Sequence, residues 1–219
     1  IDRVPQDGLR DAAAFVIEAN APVSLAESVF DFEVIGEEDI LNQTKLVVSV
    51  VPENIIESYV ELFESSGITP ISFDLESQAI ARAVLPRQDK SAKLIINLAR
   101  DKTGFYVVSE EVVQFSTTLS YSVGEADSFE NLNNLKAEMH KVFSFWSTRS
   151  EKKIERAVLC GPGSGQNDFV EKLMGESGVE YSLSDVWLNT SPSYSHAPDI
   201  SFDQSLGYAS AIGLVLPKR

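Results

Sequence analysis

Apolar residues recur along this chain in two rhythms, every second position and every third or fourth, and the change between them marks out its elements. The stretch that organises the chain lies at 93–124, KLIINLARDKTGFYVVSEEVVQFSTTLSYSVG. Leu94–Leu98 is an apolar run, Gly104–Ser109 follows it, and Val112–Leu119 returns after Glu110 and Glu111. Short apolar runs parted by tight polar turns predict three strands in an antiparallel meander.

The earlier third reads as a compact α/β unit. Leu9, Ala12, Ala13, Val16 and Ile17 form one helical stripe over Asp7–Asn20, with Asp7 available as a cap and Ala21-Pro22 ending the helix. Phe30, Phe32 and Val34 alternate with Asp31 and Glu33, a strand with one wet face. Gly36–Thr44 reads as an acidic turn and Lys45–Val51 as a second, more buried strand. Pro52 opens a helix through Ser66, with Ile55, Ile56, Tyr59, Val60, Leu62 and Phe63 expected to face inward and Gly67 to close it. With Thr69–Phe73 these elements set a first unit at 1–72 and a boundary near Ile71–Asp74.

The remainder, 73–219, places helices on either side of the meander. Asp74–Leu85 is helical and stopped by Pro86. Leu132, Leu135, Met139, Val142, Phe143 and Trp146 recur at helical spacing over about Phe129–Ser147. Ile154–Leu159 is a buried strand, followed by the glycine turn Gly161-Pro162-Gly163-Ser164-Gly165 and a helix through about Gly175. Val179–Leu183 is a further strand, Asn189–Pro198 a polar loop, and 203–216 a closing helix with small residues for close packing. The fold class is α/β.

Charge then narrows the partners. The 219 residues hold 33 Asp and Glu against 18 Lys and Arg, a net charge of -15, which repels nucleic acid and anionic lipid. The single cysteine, Cys160, forbids an internal disulfide and fits a reducing compartment. No apolar run approaches the roughly 20 residues of a membrane span. The chain starts at Ile1 rather than Met, so an upstream segment is expected.

The candidate chemistry centres on the turn from Asn97 to Thr103. A hairpin that grips phosphate needs converging backbone N–H groups, hence glycine, and a carboxylate for a magnesium shell. Asn97 stands at the carboxylate position and Ala99 at the glycine position. Thr103, with Lys102 or Arg100, remains able to meet a phosphate, and Asp101 replaces the carboxylate only if the loop takes another shape. Metal-assisted phosphoryl transfer demands more than this, so an ordinary hairpin turn is the favoured reading. The second candidate is Cys160-Gly161-Pro162-Gly163-Ser164, a strand-to-helix turn that either admits a nucleotide or simply packs; Pro162 removes one N–H from it. Glu76 opens a helix, where it either orients a water or complements the helix dipole. His140 and His196 lack neighbours at metal-ligand spacing, Trp146 reads as core, and no metal site or Ser-His-Asp arrangement is indicated.

Several phrases in order resemble the PilM family of type IV pilus assembly proteins, within the actin-like ATPase superfamily that also holds FtsA. They are LVVSVVPENIIESYVELFESSGITPISFDLESQAIARAVL, KLIINLARDKTGFYVV, VVQFSTTLSYSVGEA, EMHKVFSFWSTRSEKKIERAVLCGPGS and YASAIGLVLPKR. The resemblance covers nearly the whole chain. It implies an actin-like, ribonuclease-H-like ATPase lobe at 73–219, preceded by a small α/β subdomain at 1–72, with the first lobe and its phosphate loop lying outside this chain. It implies that Mg-ATP belongs to the cleft of the full-length protein and that this portion holds no cofactor by itself. It also implies a cytoplasmic protein held at the inner membrane by a PilN-like partner's cytoplasmic tail, among other pilus components, with oligomers allowed and neither nucleic acid binding nor membrane insertion. A basic, extended tail suits an exposed strand edge of the small subdomain.

Asn97, Ala99 and Pro162 depart from the family pattern, each in the direction of weaker nucleotide binding. The reading is therefore a scaffold with degenerate ATP motifs. Its rival is an active ATPase or kinase using Asp101, Lys102 and Thr103 at the phosphates, Glu76 near the water, and Gly161, Gly163 and Ser164 on the adenosine side. A filament-forming actin relative is the third reading.

Overall fold

The computed structural model describes residues 1–20, 24–38, 42–121, 129–190 and 198–218, with the side chains of 37, 38, 129 and 130 left aside. His196, residues 39–41 of the expected acidic stretch, 191–197 of the expected polar loop and the end of the meander at Gly124 lie outside the described residues. The chain forms two compact units, Ile1–Phe73 and Asp74–Arg219.

In the first unit, helix α1 (Leu9–Asn20) turns Leu9, Ala13 and Ile17 inward. Asp7 caps nothing; it lies in a 3-10 turn, Gln6–Gly8, whose N-cap is Pro5 and which has no side-chain cap. Strands β1 (Ser28–Glu38) and β2 (Gln43–Pro52) pair antiparallel from Ser28↔Pro52 to Glu38↔Gln43. The ladder therefore runs well into the stretch expected to be a long acidic turn, with a register shift between Val34 and Gly36. Helix α2 (Glu53–Ser65) starts from Pro52 and ends in a left-handed Gly67, φ 72°. There the Gly67 N–H donates to Glu64 O and the Ile68 N–H to Phe63 O, a Schellman pair that closes the helix.

β2 is the more buried of the two strands, half-buried along most of its length where β1 alternates with exposed residues. A further expectation fails in this unit: Ile55, Tyr59 and Leu62 of α2 face out rather than in. A two-stranded ribbon is about 5 Å between strand axes, too narrow to cover the broad apolar arc of α2. Ile56, Val60 and Phe63 take the partly buried places. Residues 68–75 carry no strand.

The second unit is three layers deep. Helix α3 (Glu76–Val84) leads to β3 (Lys93–Leu98), β4 (Thr103–Ser109) and β5 (Val112–Leu119), and helix α4 (Phe129–Arg149) follows. Then come β6 (Arg156–Cys160), a 3-10 turn at Pro162–Gly165, α5 (Asn167–Met174) and β7 (Glu180–Leu183). The closing helix breaks into α6 (Phe202–Ser205), a 3-10 turn at Leu206–Tyr208 and α7 (Ala209–Val215). Ile154 stays outside the strand expected to contain it but still packs on the core.

The sheet order is β5-β4-β3-β6-β7, with β5, β4 and β3 antiparallel and β3, β6 and β7 parallel. Strand alternation sends Leu94, Ile96, Leu98, Phe105 and Val107 to the face covered by Leu135, Met139 and Leu173. Ile95, Tyr106, Val108 and Val158 go to the other face, under Ile80, Ala83 and Ile212. Each fully buried aliphatic side chain here contributes about 1.5–3 kcal/mol. Strands β3 and β4, buried on both faces, therefore dominate the fold and fix the loop that joins them.

On the second face α7 approaches α3 so closely that a Cβ on Gly213 would overlap the Ala79 carbonyl. Arg82, nearly buried, donates from Nε to Gly213 O at 3.1 Å and pairs with Asp74. Asn189 Nδ2 caps the end of α3, donating to Arg82 O at 2.9 Å and Leu85 O at 2.6 Å. Among the described residues no helix is long and apolar enough to cross a membrane.

Candidate functional site

The inner end of the β3–β4 hairpin is where the sequence placed its chemistry. Cys160, Asn97, Gly104 and Thr118 form one row across β6, β3, β4 and β5, each register-paired with the next. Tyr106, two residues beyond Gly104 on the same face, folds its hydroxyl back over Gly104, into the space a Cβ would fill. From there the hydroxyl shares hydrogen bonds with Asn97 on one side and Thr118 on the other. Asn97 is only 5% exposed, and its Oδ1 lies 3.8 Å from Cys160 Sγ.

The electrostatics of this row favour neutral groups. Burial, then the nearby Glu76 carboxylate, push the Tyr106 phenol up to about 12. The same two causes drive the fully buried Cys160 thiol well above its usual range. Both groups are uncharged at neutral pH. Asn97 offers an amide, not an anion, to anything that approaches.

The loop beyond is tied down internally. Ala99 N donates to Lys102 O at 3.0 Å, leaving Arg100 and Asp101 exposed at the tip. Lys102 Nζ donates to Glu76 Oε2 at 2.6 Å, joining the loop to the first turn of α3. Thr103 is buried and its Oγ1 donates to Tyr121 O at 3.1 Å. The structure therefore brings Glu76 and Lys102 into contact with each other.

The glycine turn sits beside the same row. Gly161 has φ 86°, and a Cβ there would come within 2.6 Å of both Asn97 Oδ1 and Leu98 O. That approach requires glycine twice over, for its dihedral and for its missing side chain. The Gly161 N–H donates to Leu206 O at 2.9 Å, and the Ser164 N–H to Gly161 O at 3.1 Å. Ser164 Oγ donates to Cys160 O at 2.5 Å. Gly163 is buried, and Pro162 has no N–H to give. Two of the turn's amide donors and its hydroxyl are thus engaged within the fold.

Sequence reasoning overlooked Tyr106. Its signal was present, because an aromatic residue two positions after a strand glycine projects on the same face and finds open space there. Among the described residues no group of three or more His, Cys, Asp and Glu is placed to hold a metal ion.

The sheet order and its two helical layers define the class: an actin-like, ribonuclease-H-like α/β fold, with a small α/β unit ahead of it. The particular likeness is to the PilM-PilN type IV pilus biogenesis complex. A chain of that complex is similar over 98% of this chain and 73% of its own length, at a TM-score of 0.74 and 17% identity. The ethanolamine utilization protein EutJ from Carboxydothermus hydrogenoformans is similar over 68% of this chain and 59% of its own, at 0.43 and 13%. MreB 5 of Spiroplasma citri, bound to AMPPNP, is similar over 75% and 64%, at 0.48 and 8%. No protein-family model and no curated protein matches the sequence.

Proposed function

We propose that this chain belongs to a PilM-like scaffold of a type IV pilus or related secretion machine, cytoplasmic and held at the inner membrane by a partner's tail. The likeness to the PilM-PilN complex along 98% of the chain supports the pilus assignment. In that reading residues 1–73 are the small subdomain, beside which a PilN-like tail docks, and 74–219 are the second actin-like lobe.

The observation that carries the scaffold role, rather than an ATPase role, is the self-satisfied hairpin. A magnesium–triphosphate needs an anion near 97 and open amides at the glycine turn, and gains from a cation at the loop. Asn97 is a buried amide engaged with Tyr106, Lys102 is paired with Glu76, which leaves Arg100 as the exposed cation at the loop tip, and the Gly161 and Ser164 amides are occupied. With an amide in place of the carboxylate and these amides engaged, the residues present fit that group poorly. The acidic surface also favours recruitment through a protein partner over direct contact with anionic lipid.

The test of the pilus role is affinity purification of the full-length protein from its native host, followed by mass spectrometry. Recovery of an inner-membrane pilus or secretion component with a short cytoplasmic tail is expected. Recovery of none contradicts the assignment.

A further inference from the structure

Helix α2 uses only part of its apolar arc. At 100° per residue, Ile55, Tyr59 and Leu62 fall within about 60° of one another, beside the inward Ile56, Val60 and Phe63. The outer three are 45, 51 and 59% exposed, and α2 has no fully buried residue at all. Phe73 extends the patch, its ring centroid 6.4 Å from that of Tyr59. Scattered exposed apolar residues are ordinary, but a stripe of three at helical spacing joined to a second aromatic ring marks a contact surface.

The charge of this unit decides what covers the stripe. Residues 1–73 hold 14 acidic and 3 basic residues, so they carry -11 of the chain's -15. α2 itself has Glu53, Glu57, Glu61 and Glu64 and neither Lys nor Arg. A second copy would bring the same net charge, and anionic lipid or nucleic acid is repelled likewise. A cationic polypeptide is the occupant that the field attracts.

We infer that the stripe of Ile55, Tyr59 and Leu62 docks a basic amphipathic helical segment of a partner protein. This deepens the scaffold reading, on which it rests, by naming the surface and the chemistry of one partner. Apolar side chains of the segment, spaced i, i+4, i+7, lie along the stripe with their lysines and arginines outside it. The glutamates fall on the opposite flank of α2, so attraction acts through the field of the unit rather than through individual pairs. Charge then governs the association rate, and the stripe governs dissociation.

The test uses a fluorescein-labelled synthetic peptide of about 18 residues, five helical turns, with leucines on one face and lysines elsewhere. Binding to the whole chain is followed by anisotropy and stopped flow. A saturable complex is expected, with the Tyr59→Ser, Leu62→Ser double variant dissociating at least tenfold faster and added salt slowing association. A counterpart with glutamate for lysine does not bind. These positions are exposed, and circular dichroism checks that the variant keeps the fold.

An unchanged dissociation rate in the variant overturns the inference, as does equal binding of the glutamate peptide. Sedimentation showing self-association lost in the variant overturns it too, because the occupant is then a second copy. Stripe-dependent peptide binding without recovery of any pilus component refutes the scaffold reading alone. Recovery of a pilus component with no stripe dependence refutes only this inference.

Discussion

The hydroxyl of Tyr106 lies over Gly104, in the place a Cβ would take, and links Asn97 on one side of β4 to Thr118 on the other. A strand glycine at the mouth of a hairpin is where backbone can approach a ligand closely. Here that space is filled from within the same strand. The row is thereby converted into a piece of core with its polar atoms satisfied.

This arrangement has a pH signature. The phenol is raised from 10.0 to about 12 in the fold, so its neutral form is the one folding favours. Stability from this group is fully present below about pH 10 and is lost as pH rises towards 12, by roughly 2–3 kcal/mol at most. Cys160, also raised, adds to the loss from about pH 9. Tyr106→Phe removes the tyrosine share of this alkaline loss while lowering stability at neutral pH by about 1–2 kcal/mol. Urea unfolding at pH 7 and across the alkaline range reads both effects.

The Glu76–Lys102 pair tests a weaker tie. Both side chains are about two-fifths exposed, at 37 and 40%, so the pair is worth under about 1 kcal/mol after screening. Lys102→Ala and Glu76→Gln each lower the urea midpoint slightly, and the difference from wild type shrinks in high salt. A loss several times larger shows that the loop depends on the pair for its shape.

Gly161→Ala is expected to be far more disruptive. The residue sits at φ 86°, and a Cβ meets Leu98 O at 2.6 Å, backbone that cannot swing aside. The left-handed penalty and the overlap together cost about 3 kcal/mol or more. Thermal unfolding of the variant measures this directly. Near-wild-type stability shows that β3 and β6 can separate at their ends.

The β4–β5 turn runs the other way. Glu110 and Glu111 both have positive φ, 54° and 66°, the geometry of a type I′ hairpin that Asn-Gly fits better. Glu110 pairs with Lys152 and lies 3.8 Å from Lys90, and Glu111 accepts the Gln88 N–H at 2.6 Å. Surface contacts of this kind are worth about 0–1 kcal/mol each, against about 1–2 kcal/mol of strain per left-handed residue. The strain term wins, so Glu110→Asn with Glu111→Gly raises the melting temperature. A fall shows that the lysine contacts dominate.

The meander and α4 were legible in the sequence because short apolar runs parted by polar turns mark the one and a strong 3.6-residue period marks the other. Leu132, Leu135, Met139, Val142 and Trp146 all reach the core. What the pattern could not reveal is how much surface a neighbour offers. Tyr59 and Leu62 look like core on α2, yet the ribbon beside them is two strands wide. Asn189 reads as loop, although its amide closes α3 more than 100 positions earlier, at Arg82. Glu110 and Glu111 carry no mark of a left-handed turn; register alone puts them there. At the site, the hairpin and the glycine turn are each legible as local turns. The filling of Gly104 by Tyr106 needed the row across four strands, which no local motif spells out.

The most direct measurement is calorimetric titration of Mg-ATP into the full-length natural protein, wild type and Asn97→Asp. No tight binding is expected in either. The new carboxylate, buried beside Tyr106 and Glu76, also leaves the variant less stable at pH 7 and recovering as pH falls towards 4, where an ordinary aspartate protonates. Micromolar Mg-ATP binding by the wild type, lost on Lys102→Ala, contradicts an architectural hairpin and shows one that grips a triphosphate.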